Sequence, residues 1–134
     1  MKKAAGILVV HNGKCLLCKR NTEGSLPGEW SIPAGKVEPN EEVTSAARRE
    51  FYEETNLSID GQIYFVGVVK RYNREGSKPK GVLYVFKYES EKPIIPNLSK
   101  AIDGNEHTEC GYFGENELPL PMGETFRSLI KKNL

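Results

Sequence analysis

The sequence predicts an α+β fold, a mixed β-sheet with helices packed on both of its faces. Three observations lead there. Segments of strand character outnumber helical ones. The two helical stretches punctuate the strands instead of alternating with them. Between two apolar runs stands Asn12-Gly13, the strongest short signal for an antiparallel hairpin. A doubly wound parallel sheet needs regular strand–helix alternation, and this chain lacks it.

Taken in order, Ala4 to Val10 is an apolar strand, and Lys14 to Arg20 returns antiparallel after the turn. Asn21 to Glu29 holds Gly24, Pro27 and Gly28 and reads as a loop. Trp30 to Pro33 is a short extended piece, leading through Ala34-Gly35 into a second loop. Asn40 is the expected N-cap of a helix from Glu41 to about Thr55, with Glu41 and Glu42 suited to the positive end of its dipole. Gln62 to Val69 and Gly81 to Tyr88 read as strands; in the second, Val82, Tyr84 and Phe86 alternate with Leu83 and Val85. Arg71 to Lys80 between them is rich in Arg, Lys, Gly and Pro and reads as a solvated turn. Glu91 to Gly104 is a polar loop, Cys110 to Phe113 a short strand and Thr125 to Lys132 a closing helix. No repeat, low-complexity tract or linker divides the chain, so residues 1–134 are expected to form one domain.

With 134 residues, 38% hydrophobic and 28% charged, the chain has the composition of an ordinary globular domain with a sizeable core. A formal net charge of +1 supplies no bulk attraction for nucleic acid or an anionic membrane, so an anionic ligand must be handled locally. No run approaches the length of a membrane span. The opening M-K-K-A-A-G-I-L-V-V has a very short apolar stretch and no small-residue cleavage site, so it is not read as a secretory signal. Three cysteines are too few, and odd in number, for a disulfide scaffold, and a reducing cytoplasm is the expected location. Cys15 and Cys18 form a C-x-x-C, but strand alternation sets them on opposite faces, where two sulfurs do not converge on a metal. Buried structural thiols are the reading. His11, His107 and Cys110 lack the spacing of a zinc set.

The helix after Gly35 carries the chemistry. At roughly 100° per residue, Val43, Ala46, Ala47 and Phe51 make one apolar stripe. Glu50 and Glu54 fall in the middle of it and Glu53 at its edge, while Glu41 and Arg48 lie on the opposite face. A carboxylate on a core-facing stripe is costly unless a cation compensates it. Glu50, Glu53 and Glu54 stand at i, i+3 and i+4, so the spacing lets all three converge beside the helix. Oxygen-only ligands suit Mg²⁺ or Mn²⁺, ions that commonly hold substrate phosphates. An acidic solvated face with Arg49 paired to Glu53 explains Glu53 alone.

These residues resemble the Nudix box: Gly, five residues, Glu, seven residues, Arg-Glu, an apolar residue, any residue, Glu-Glu, any residue, Gly, apolar. Gly35, Glu41, Arg49, Glu50, Phe51, Glu53, Glu54 and Leu57 match it. Asn56 stands where the family has Gly, and Asn is the next most tolerant residue for a left-handed helix end. Trp30 to Gly35 is similar to the family's lead-in, and Glu106 to Pro119 to its downstream region.

The resemblance implies an α/β/α sandwich and a nucleotide pyrophosphohydrolase, in which water attacks a phosphorus of a nucleoside diphosphate linked to another group. It implies Glu53 and Glu54 as the main Mg²⁺ ligands, and Glu50 as either a ligand of a second ion or the base. The Gly35 carbonyl and Glu106 are further metal ligands on the same grounds, with Glu109 the competing fourth acid. Arg49 would orient the cluster, and Glu41 would make a structural salt bridge or loop contact. Arg20 is similar in position to basic residues that point at phosphate, and Tyr72 to a tyrosine of dinucleoside-polyphosphate hydrolases. Nucleoside triphosphates or dinucleoside polyphosphates are the favoured substrates. ADP-ribose or nucleotide sugars, an RNA 5′ end held by the basic loop, and a non-catalytic nucleotide-binding module are the alternatives. Many members resemble dimers, which keeps a homodimer open.

Overall fold

The structure, a computed structural model, describes residues 2–21, 28–72, 78–98 and 107–134. Within these, the elements run β1 (Lys2–His11), β2 (Lys14–Arg20), β3 (Trp30–Ser31), β4 (Ala34–Lys36), α1 (Val43–Thr55), β5 (Tyr64–Tyr72), β6 (Pro79–Glu89), β7 (His107–Phe113) and α2 (Glu124–Lys132). β1 is the spine of the sheet. It pairs parallel with β6 from Lys2↔Gly81 to Val10↔Glu89, and antiparallel with β2 and β4. β5 flanks β6, while β3 and β7 flank β2, all antiparallel. The sheet is therefore mixed, as the irregular alternation predicts.

The first hairpin forms where the sequence puts it. Asn12 (φ 50°) and Gly13 (φ 74°) both take positive φ, which a two-residue type I′ turn requires at its central positions. His11 then faces Lys14 and Val10 faces Cys15. Alternation along β1 sorts its side chains into two cores. Leu8 and Val10 join Leu17, Leu83 and Val85 beneath Phe126 and Ile130 of α2. Ile7 and Val9 join Leu16 and Phe86 beneath Ala46, Ala47 and Phe51 of α1. A helix on each face of one sheet makes the α/β/α sandwich.

Several local expectations are corrected. Helix α1 starts at Val43, with Glu42 at the cap position and no side-chain cap bond, so Asn40 is not the N-cap. Asn40 instead takes a left-handed φ of 64° in a turn closed by the Glu41 N–H donating to the Glu38 carbonyl at 3.0 Å. The Glu41 carboxylate accepts the Glu38 N–H at 3.0 Å, which fixes this turn outside the helix. Gly35 lies in β4 rather than a loop, paired with Ala5. β7 begins at His107, earlier than Cys110, because His107 and Glu109 continue the ladder with Arg20 and Lys19. β5 reaches Tyr72, so Arg71 belongs to a strand and is half-buried rather than part of a solvated turn.

The cysteine reading is half corrected. Cys15 and Cys18 do lie on opposite faces: Cys15 packs in the α2-side core, and Cys18 pairs with Cys110 on the other side. Cys18 is not a thiol, because it is bonded to Cys110, its direct partner across the β2–β7 ladder. Cys15 remains a free, buried thiol whose Sγ donates to the Phe113 carbonyl at 3.5 Å. Among the described residues no helix is long and apolar enough to cross a membrane.

Candidate active site

Helix α1 delivers its acids as the period predicts. Ala46, Ala47 and Phe51 are fully buried against β1, and Glu50 (8% exposed) and Glu54 (1%) are buried among them. Glu53 is half-buried at the stripe's edge. Helix α1 ends on Asn56 in the left-handed conformation (φ 61°, ψ 23°), its N–H donating to the Tyr52 carbonyl at 2.8 Å. That geometry is the one the Gly of the box would supply, and Asn adopts it at modest cost.

Arg49 organises the acidic face. Its Nε and Nη2 donate to the two Glu41 oxygens at 2.8 and 2.9 Å, a bidentate pair. Nη1 donates to Glu50 at 2.8 Å and to Glu53 at 3.0 Å, and Nη2 also donates to the Lys36 carbonyl at 2.8 Å. One guanidinium thus ties α1 to β4 and sets the rotamers of two of the three box acids. Glu41, placed by sequence in a structural salt bridge, makes one. The Arg49 hydrogen bonds hold its carboxyl at about 2, below the usual carboxylate range, and the same pairing raises Arg49 further above its ordinary value.

Glu54 faces away from this hub. Its Oε1 lies 3.8 Å from Nε2 of His107, and both side chains are almost wholly enclosed. Two arginines stand nearby. Arg71 is close enough to Arg20, Glu29 and Glu54 to feel their charges; burial and the Arg20 charge lower its pKa, and the two carboxylates oppose that. Arg20 Nε is enclosed and has no hydrogen-bond partner among the described residues. Burial pushes the Glu29 carboxyl up, while the Gly123 N–H and the two arginines pull it down.

The donor set suits a hard divalent ion through its chemistry rather than as a preformed cage. Glu50 and Glu54 are buried carboxylates, and a Cβ at Gly35 would overlap the Glu50 carboxylate and displace it from its present position. Among the described residues, however, no three His, Cys, Asp or Glu side chains stand close enough to hold a metal together. The convergence expected from the i, i+3, i+4 spacing is therefore incomplete. Arg49 draws Glu50 and Glu53 to one side, and Glu54 turns toward His107.

Of the remaining predicted residues, Arg20 sits at the end of β2 opposite His107 and beside Arg71. Tyr72 ends β5 opposite Pro79, and its side chain lies outside the described part. Glu106 lies outside the described residues; Glu109, its competitor, is exposed on β7. Sequence reasoning missed Glu29, treated as loop, and Arg71, treated as solvated turn. It considered His107 only as a zinc ligand. His107 arrives by pairing with Arg20 across the β2–β7 ladder, Glu29 through the Arg20 and Gly123 N–H groups, and Arg71 at the end of β5; no local pattern signals that. The Trp30 that follows Glu29 is the nearest clue.

The fold has counterparts among known proteins. The chain matches the NUDIX domain family over residues 1–133. It is similar to the MutT NUDIX hydrolase from Burkholderia pseudomallei, with TM-score 0.80 and 25% identity over 97% of this chain and 95% of that one. The Ap4A hydrolase from C. elegans shares the fold, with TM-score 0.74 and 22% identity over 99% and 95%. Nucleoside triphosphatase NudI from Escherichia coli strain K12 is 46% identical over 48 residues, which cover 35% of this chain and about a third of NudI's length (34%). With a family match over residues 1–133, nearly the whole sequence, the chain belongs to the NUDIX family.

Proposed function

We propose that residues 1–134 form one catalytic domain that hydrolyses the diphosphate linkage of a nucleotide with Mg²⁺ or Mn²⁺, nucleoside triphosphates and dinucleoside polyphosphates being the first substrates to test. The observation that carries this reading is the burial of Glu50 and Glu54 on the apolar stripe of α1. A helix built for solubility has no use for carboxylates there, because desolvating them costs several kcal/mol, roughly, unless a charge compensates. The NUDIX hydrolases of similar fold, and the partial likeness to a nucleoside triphosphatase, support the substrate class.

The residues divide the work. Glu53, Glu54, the Gly35 carbonyl and Glu106 would hold the ion, with Glu50 either ligating a second one or accepting the proton of the attacking water. When bound, such an ion supplies charge for the phosphates and lowers the pKa of a water. Arg49 keeps Glu50 and Glu53 oriented through its Nη1 bonds. Arg20, half-buried at the end of β2, would meet a substrate phosphate, and Tyr72 would meet the nucleotide. The cytoplasm remains the location we propose for this activity.

A panel of nucleoside triphosphates, dinucleoside polyphosphates, ADP-ribose and capped RNA, assayed with Mg²⁺, tests the reading. The wild type should turn over at least one class, and Glu53→Gln with Glu54→Gln should lose about a hundredfold or more. Wild-type inactivity on the whole panel, or full activity in the double variant, refutes it. Glu106→Gln should cost far more turnover than Glu109→Gln; the reverse result moves the fourth acid to Glu109.

A further inference from the structure

We propose that the α1 side of strands β5 and β6 is a track for a single-stranded RNA chain whose 5′ di- or triphosphate lies at the box. This rests on the nucleotide reading above and names a polymer as its substrate class. Strand register builds the face in three rows. Lys3, Val82 and Lys70 stand side by side across β1, β6 and β5; Ala5, Tyr84 and Val68 follow, and then Ile7, Phe86 and Phe65. Helix α1 covers the β1 end of the second and third rows, Ala5 and Ile7. The β5 end is open: Phe65 is 55% exposed and Val68 44%. Phe65 lies against Tyr84 and Phe86, ring centroids 6.2 and 5.7 Å apart, so the open surface is aromatic.

The charge beside this patch says what it meets. Lys3 and Lys70 are exposed, and neither enters an ion pair among the described residues. Aromatic faces for bases, with lysines alongside for phosphates, are the two components of a single-strand site. A second copy of this chain fits worse, because a two-fold contact would gather the lysines of both copies with no acid in the rows to pair them. The lysine row also adjoins the acidic helix. The Lys3 carbonyl accepts the Val37 N–H at 2.9 Å, and the neighbouring Lys36 carbonyl accepts Arg49 Nη2. Phosphates held at the box would therefore lead their chain over the lysines first and the aromatic rows next, each row about 7 Å beyond the last. A formal net charge of +1 keeps this contact short, since it supplies no attraction for nucleic acid at large. RNA is the polymer with the right end: its synthesis starts on a nucleoside triphosphate and keeps that diphosphate linkage, whereas a primed DNA strand carries none.

The test compares a 5′-monophosphorylated RNA pentamer with AMP in the absence of metal, by fluorescence anisotropy of a 3′ dye and by competition. The wild type should bind the pentamer about tenfold or more tightly than AMP. Phe65→Ser, at an exposed position, should weaken pentamer binding about fivefold or more. Lys3→Gln with Lys70→Gln should flatten the slope of log affinity against log salt by about 1.4, the loss of two single-strand phosphate contacts. Both variants should keep the fold and the AMP affinity of the wild type. With Mg²⁺, the 5′-triphosphorylated pentamer should be hydrolysed at its diphosphate linkage with a higher kcat/KM than ATP. Equal affinity for pentamer and AMP overturns the proposal, as does pentamer binding that neither variant changes, or a triphosphorylated pentamer hydrolysed less well than ATP. A wild-type dimer that Phe65→Ser dissociates overturns it too, since the face then belongs to a second copy. A pentamer that binds through these residues while neither it nor ATP is hydrolysed upholds the track and counts against the hydrolase reading alone.

Discussion

Arg49 spends its donors on three carboxylates and a backbone carbonyl, and the one bidentate pair goes to Glu41, the acid of the box that stands in the turn before the helix. That pair gives the protein a definite acid response. The Glu41 carboxyl is held at about 2 against an ordinary 4.5, so the stabilisation it supplies is complete above 4.5 and is lost as pH falls toward 2. Since both side chains are partly exposed, its size is about 1 kcal/mol, not the full value of the shift. Urea unfolding followed from pH 6 to pH 2.5 should show a shallower decline in Glu41→Gln than in the wild type. Equal slopes would mean that the pair does not hold the loop to the helix. At this scale much of the site was legible. The 3.6-residue period alone put Glu50 and Glu54 on the buried stripe, and the tolerance of Asn for left-handed backbone anticipated Asn56. The positions of Glu29, Arg71 and His107 were not legible, because contacts between segments far apart in sequence bring them to Glu54 and Arg20.

Among the elements, strand identities read well from alternation and turn residues, and their ends read poorly. β4 and the first residues of β7 look like loop in isolation; they become strand because β1 and β2 offer ladder partners. The β2–β7 pair carries the sharpest departure, the Cys18–Cys110 bond, which spans 92 residues of sequence. No count of three cysteines reveals which two face each other across a ladder. Closing a loop of that length restricts the unfolded chain, so Cys18→Ala with Cys110→Ala should lower stability by about 2–4 kcal/mol. Thiol titration checks the bond directly. Burial pushes the Cys15 thiol up to about 12, so the native protein should show almost no reactive thiol. The unfolded protein should show one without reductant and three with it; three without reductant would mean that the bond does not form.

For the molecule as a whole, the two cores share one wall. Ile7, Leu8 and Val9 are each fully buried, and they alternate between the α1 side and the α2 side of the sheet. Backbone amides of central β1 should therefore exchange hydrogen only through global unfolding, more slowly than those of edge strand β5, where Tyr64 and Phe65 are exposed. Exchange of β1 at the rate of β5 would show that the cores unfold separately.

The parallel pairing of β1 with β6 also sets a schedule for the newborn chain. β1 leaves the ribosome first, yet the strand that covers one of its edges, residues 79–89, follows many residues later. Until then the hairpin with β2 and the contact with β4 are its only sheet partners among the described residues, and one side of an apolar strand stays open to solvent and to neighbouring chains. At ordinary synthesis speeds of roughly 5–20 residues per second, that wait lasts several seconds. If the helix docks within that interval, it does so on a sheet that is still half built.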